Sequence, residues 1–116
     1  NKTKLFRFPG GGSNTISKGK ATGVVNYIAS KMQEAGYTYF DWNVDSGDAA
    51  GANSKKIYNN VINGIASRNY SVVLMHDIKR PTIDTIEDII VYALNNGYTF
   101  KTLSSDSPTV HHHVNN

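Results

Sequence analysis

Arg7, Asp45, Asp48, His76 and Asp77 are the side chains whose types and positions suit proton transfer or anion binding. His76 is the only histidine outside the tail, and an imidazole placed in a pocket can give a proton to a departing amine. Asp45, Asp48 and Asp77 can serve such a histidine or simply cap turns and helices. The run Phe8-Pro9-Gly10-Gly11-Gly12-Ser13-Asn14 offers backbone amides that can hold an oxyanion, or makes a plain wide turn. It is not a phosphate-binding loop. Gly19-Lys20 is followed by Ala21 where that motif needs Ser or Thr, and Asn14 occupies its first glycine position. His111-His112-His113 cannot all face one ion in regular structure, so they read as a disordered tail or the remnant of a tag.

These residues need elements to position them, and the periodicity supplies an alternating order. Lys4–Phe8 reads as a strand. Ala21–Ala35 reads as a helix, with Val24, Val25, Ile28 and Met32 at helical spacing and Gly36 as its stop. Tyr37–Asp45 reads as one strand, with Phe40, Trp42 and Val44 on one face and Tyr39, Asp41, Asn43 and Asp45 on the other. Ser54 caps a second helix with Ile57, Val61, Ile62 and Ile65 inward. Ser71–Met75 is a short apolar strand. Pro81 and Thr82 open a third helix with Ile83, Ile86, Ile90 and Leu94 inward and Gly97 at its end. Tyr98–Leu103 reads as a fourth strand, and residues 104–116 as a polar tail.

The order β-α-β-α-β-α-β implies an α/β fold with parallel pairing and right-handed crossovers. Arg7, Asp45, Asp48, His76 and Asp77 then fall at C-terminal strand ends, the rim where parallel α/β folds build sites. The strand carrying Asp41, Asn43 and Asp45 has too polar a face for one buried on both sides, unless that face lines a site or water.

The chain of 116 residues suits one domain and can bury a core. A net charge of +3 is too mild for a nucleic-acid footprint. No apolar run approaches the roughly 20 residues of a membrane span. The absence of cysteine excludes disulfides and thiolate–metal sites.

Three segments resemble a known family. Phe6-Arg7-Phe8-Pro9-Gly10-Gly11, Trp42-Asn43-Val44-Asp45-Ser46-Gly47-Asp48 and Val73-Leu74-Met75-His76-Asp77 resemble, in order and spacing, the last three of the five motifs of the polysaccharide deacetylases, the NodB-homology enzymes of carbohydrate esterase family four. The resemblance runs from Leu5 to about Leu103. It implies the C-terminal portion, here residues 1–116, of a distorted (β/α) barrel of about seven strands. The implied reaction is removal of acetyl groups from N-acetylhexosamines of peptidoglycan or chitin, or from acetylated xylan, with a divalent metal, zinc. The implied location is extracellular or in the cell wall.

By the same resemblance, His76 is the general acid to the departing amine, Asp48 tunes it, and Arg7 orients the catalytic-base aspartate. The amides around Phe8, Pro9, Gly10 and Gly11 help hold the oxyanion. Leu74 walls the acetyl-methyl pocket, and Trp42 and Asp45 are structural or line the substrate. Where the family usually carries a tryptophan after the second aspartate, this chain has Ala49. It contains no Asp-Asp pair and no His-x-x-x-His, so the base and the metal ligands are expected on the remaining N-terminal portion of the domain, and the isolated chain is expected to be inactive. Two other readings compete. One is a non-catalytic glycan-binding module that uses Trp42 and the tyrosines for stacking. The other is a flavodoxin-like domain with strand order 2-1-3-4.

Overall fold

The structure, a computed structural model, describes residues 2–116. The chain forms two compact units. One runs through Asp41 and takes in Thr102–Asn116, and the other is Trp42–Lys101.

In the first unit, β1 (Leu5–Phe6) pairs in parallel with β2 (Thr38–Tyr39), Leu5 opposite Thr38 and Phe6 opposite Tyr39. The connection is α1 (Val24–Glu34), which begins after Gly23 at φ 79° and so starts later than the periodicity predicts. Val25 and Ala29 face inward, whereas Ile28 is exposed. Gly36, at φ 85°, stops the helix as expected. Phe8, Val25, Ala29 and Tyr39 make the core, with Phe6, Val24 and Val114 against it. The Phe8 ring meets Tyr39 edge-on, centroids 5.3 Å apart.

The end of the expected polar tail packs on this unit, with Val114 against the core. His111 stacks flat on Tyr39, centroids 3.8 Å apart, and its Nε2 lies 3.0 Å from the Tyr39 carbonyl oxygen. Asn116 is buried, and its Oδ1 accepts from the Gly23 N–H at 2.8 Å, supplying the cap that a glycine cannot. A disordered tail is therefore the wrong reading. Its polar residues are placed by bonds to backbone that hydropathy does not register.

In the second unit, β3 (Val44–Asp45) pairs in parallel with β4 (Val73–Leu74), Val44 opposite Val73 and Asp45 opposite Leu74. The crossover is α2 (Ser54–Ala66), and α3 (Arg80–Asn95) follows β4. Asn53, not Ser54, caps α2 by accepting from the Lys56 N–H at 2.9 Å. Ser54 stands one residue inside and donates to the Pro81 carbonyl instead. Val44, Ile57, Val61, Ile65, Ile89 and Ala93 form the core. Gly64 lets α2 lie directly on β3: a Cβ there would sit 2.5 Å from Val44 Cγ1.

Three expectations change. The segment 37–45 is two strands, because its successive N–H groups go to different acceptors. Phe40 N–H bonds the Phe6 carbonyl, Asp41 N–H the Val110 carbonyl, and Asn43 N–H the Val72 carbonyl. Residues 98–103 form no strand. Tyr98 N–H turns back to the Ala93 carbonyl, closing α3, and Phe100 and Leu103 are exposed. The inward stripe of α3 is Thr82, Thr85, Ile89 and Ala93, about 100° round the helix from the expected one. Ile83, Ile90 and Leu94 are exposed, Leu94 by 58%. The pairing of Val44–Asp45 with Val73–Leu74 also excludes the flavodoxin-like order, in which the expected first strand would lie between the expected second and third.

Candidate active site

Asp48 is placed by the turn before it. Asp45 Oδ1 accepts from the Gly47 N–H at 2.9 Å, and Gly47 sits at φ 79°, a left-handed conformation that other side chains rarely adopt. Asp45 is exposed and holds the turn by this bond. Ser46 is fully buried, and its carbonyl accepts from Asn60 Nδ2 on α2 at 2.9 Å. The chain then enters a 3₁₀ turn over Asp48–Ala50 with the Asp48 carboxyl pointing inward, 3% exposed.

His76 follows β4. Its ring Nδ1 lies 2.8 Å from Asp48 Oδ1, and its backbone N–H donates to Asp48 Oδ2 at 2.6 Å. The Thr82 hydroxyl donates to the same Oδ2 at 2.7 Å. Burial alone would push the Asp48 carboxyl up. The hydrogen bonds from Thr82 and His76 and the attraction of the imidazole outweigh it and hold the pKa down at about 2, against an ordinary 3.8. Asp48 is therefore an anion at neutral pH. With Nδ1 taken by Asp48, Nε2 is the ring nitrogen left to serve a ligand. The His76 side chain is 31% exposed, enough for a substrate to reach it.

The structure thus brings together two of the expected catalytic residues, Asp48 and His76. Leu74 lies in β4, two residues before His76, and is half-buried; Trp42 is half-buried before β3. Asp77 is an exposed turn residue. Thr82 and Ser46 are the participants that sequence reasoning missed. Spacing does not mark Thr82, because the more apolar stripe of α3 runs through Ile83, Ile86, Ile90 and Leu94.

The other expected residues belong to the first unit. Arg7 follows β1 with its side chain exposed. Phe8 is buried and Pro9 exposed. Gly10 and Gly11 adopt φ 76° and 86°, the Gly11 N–H bonding the Phe8 carbonyl at 2.8 Å. Asp41 is 2% exposed and accepts two backbone N–H groups, Gly12 on Oδ1 and His112 on Oδ2, each at 2.7 Å. Its charge, together with burial, raises the Tyr39 hydroxyl pKa, burial being the larger cause. The polar face read between Tyr39 and Asp45 is thus explained largely by backbone partners. Asn43 does likewise in the second unit: its side chain donates to the Tyr70 carbonyl and accepts from the Val72 N–H, substituting for a rung of the ladder.

The residues present do not make a metal site. Among the described residues no group of three His, Asp or Glu side chains could hold an ion. Asp48 has both oxygens engaged by three donors. His111 Nε2 is on the Tyr39 carbonyl and His113 Nδ1 is on Asn115. Among the described residues no helix is long and apolar enough to cross a membrane.

No family model matches the chain, and no curated protein does. Solved structures do. The catalytic domain of a peptidoglycan N-acetylglucosamine deacetylase from Eubacterium rectale is 44% identical, with a TM-score of 0.96, over all of this chain and 54% of that one. A polysaccharide deacetylase from Bacillus cereus is 25% identical, TM-score 0.76, over 97% of this chain and 53% of that one. A family 4 carbohydrate esterase from Streptococcus mutans is 28% identical, TM-score 0.65, over 85% and 43%. The motifs around Arg7, Asp48 and His76 and these likenesses agree: the chain is similar over its whole length to structures of polysaccharide deacetylases and carbohydrate esterases of family four, and spans about half the length of the solved relatives it matches.

Proposed function

We propose that this chain supplies the proton-donating side of a deacetylase active site, in a polypeptide that removes acetyl groups from N-acetylglucosamine units of peptidoglycan. The observation that carries the reading is the His76–Asp48 pair: a ring nitrogen 2.8 Å from a buried carboxylate, with the other left for substrate. Amide hydrolysis expels an amine, a poor leaving group unless it gains a proton as the C–N bond breaks. His76 Nε2–H delivers that proton. The products are acetate and the free amine of the sugar, and Asp48 offsets the positive charge on the ring before the proton leaves. The likeness to the Eubacterium rectale enzyme favours peptidoglycan over chitin or acetylated xylan.

The remaining assignments rest on the motifs. Arg7 orients a base carboxylate, amides in the Phe8–Gly11 loop other than Pro9 and the Gly11 N–H, which is on the Phe8 carbonyl, help hold the oxyanion, Leu74 walls the acetyl methyl, and Trp42 and Asp45 line the approach. The base and the ligands for a divalent metal, zinc in this reading, lie on the remaining N-terminal portion of the domain. This chain contains no Asp-Asp pair and no His-x-x-x-His. The exposed Ile83, Ile90 and Leu94 of α3 give that portion an apolar surface to cover. A polysaccharide substrate of this kind places the enzyme outside the cell or in its wall. A glycan-binding module without catalysis has less support: Tyr27 and Tyr70 are exposed, but Trp42 is half-buried and the His76–Asp48 pair is left unexplained.

The test is acetate release from N-acetylated peptidoglycan. The polypeptide that carries the whole domain is expected to release acetate, and residues 1–116 alone are not. No release by the whole domain on peptidoglycan, chitin or acetylxylan overturns the reading.

A further inference from the structure

We propose that Thr82 is a positioning residue for the proton donor: its hydroxyl, bonded to Asp48 Oδ2, fixes the carboxylate rotation that presents Oδ1 to His76 Nδ1. This rests on the reading of His76 as the acid and adds a residue to it.

The carboxylate of an aspartate turns freely about its last side-chain bond, which has broad, shallow wells. One hydrogen bond leaves that rotation loose, and contacts on both oxygens fix it. Oδ2 receives two donors, the His76 backbone N–H at 2.6 Å and the Thr82 hydroxyl at 2.7 Å. Oδ1 is thereby turned to the ring nitrogen. The backbone donor comes from the residue whose ring the carboxylate must orient. Thr82 adds an anchor from a separate element, the first turn of α3, where it is 4% exposed.

Its chemistry supports a role beyond packing. The inward stripe it begins continues through Thr85, Ile89 and Ala93. Valine has nearly the same shape and would bury without a hydroxyl to satisfy. The Thr82 hydroxyl does not cap its helix either, since α3 has no side-chain cap.

The test uses the whole-domain polypeptide with Thr82→Val and Thr82→Ser. Three quantities are read: the Asp48 carboxyl midpoint by carbon NMR, the His76 ring Nδ1 signal by nitrogen NMR, and kcat and KM for acetate release. Wild type and Thr82→Ser are expected to keep the Asp48 midpoint near 2 and the same Nδ1 signal. In Thr82→Val the midpoint rises toward 3.8, the Nδ1 signal broadens, and kcat falls about 10-fold with KM unchanged. Should the valine variant not fold, Thr82→Cys replaces it with a weaker donor, and the same changes are expected. A valine or cysteine variant with wild-type midpoint, ring signal and kcat overturns the proposal. If wild type releases no acetate, the deacetylase reading fails, and the two NMR readouts still decide for or against positioning by Thr82.

Discussion

His76 and Asp48 meet twice: ring Nδ1 lies 2.8 Å from Oδ1, and the backbone N–H of the same histidine donates to Oδ2 at 2.6 Å. The pair joins two strand ends, since Asp48 follows β3 and His76 follows β4, and these strands are hydrogen-bonded in register. A histidine gripped by side chain and backbone together keeps one ring orientation, which a proton donor requires. The consequences reach stability as well as chemistry.

Asp48 makes stability depend on pH at the acid end. Its carboxyl titrates at about 2 in the fold and at an ordinary 3.8 when released. A depressed folded value means that the unfolded chain takes up the proton first. The contribution is therefore present above about pH 4 and is lost as pH falls toward 2. Discounted for solvent screening, it is about 1–2 kcal/mol. Urea unfolding of wild type and Asp48→Asn should differ most near neutral pH and converge between about pH 4 and pH 2. A constant difference across that range would show that the carboxylate charge contributes nothing.

Gly64→Ala should destabilise, although alanine favours an exposed helix by about 1 kcal/mol. The new Cβ would lie 2.5 Å from Val44 Cγ1 and 3.1 Å from Cγ2, on a β-branched side chain that is itself buried. Overpacking of this kind costs about 1–3 kcal/mol. Val44→Ala should make Gly64→Ala tolerable, so a double-mutant cycle of unfolding free energies is expected to show coupling of about 1 kcal/mol or more.

Asp41 should matter to the first unit more than any surface carboxylate. Asp41→Ala would remove the acceptor of the buried Gly12 N–H and of the half-buried His112 N–H, at about 2–4 kcal/mol. Gly12→Ala should cost a similar amount, because its Cβ would meet Asp41 Oδ2 at 2.8 Å. Thermal unfolding of both variants measures this, and a change within about 0.5 kcal/mol for either would contradict the contacts.

Removing residues 111–116 should loosen the protein. The truncation uncovers Tyr39 and takes away the Asn116 cap on Gly23. Amide exchange in the first turn of α1 and around Tyr39 is expected to quicken at least 10-fold. Unchanged exchange would return the tail to the inert status its composition suggests.

Much of this was legible in the residues. The strand–helix alternation and α2 with its Ile57–Val61–Ile65 stripe follow from periodicity, and the Asp48–His76 pairing from the family resemblance. What escaped has particular causes. In α3 the more apolar stripe, Ile83, Ile86, Ile90 and Leu94, is not the inward one. The choice falls to Thr82, whose hydroxyl reaches Asp48, and to Ala93, small enough to pack inside. The division of residues 37–45 depends on which distant carbonyl each N–H finds, and Val110 lies in a segment read as tail. Phe100 and Leu103 look strand-like, yet a strand needs a neighbour, and none pairs there among the described residues.

The central claim is that His76 protonates the leaving group. It is tested most directly by the leaving-group dependence of His76→Ala in the whole domain. Amide hydrolysis of an N-acetylglucosamine glycan needs that proton, whereas an activated aryl acetate expels a phenolate that does not. The account predicts a fall of at least about 100-fold on the glycan and less than about 10-fold on the aryl acetate. Equal losses on both substrates, or a variant that keeps full activity on the glycan, would contradict it.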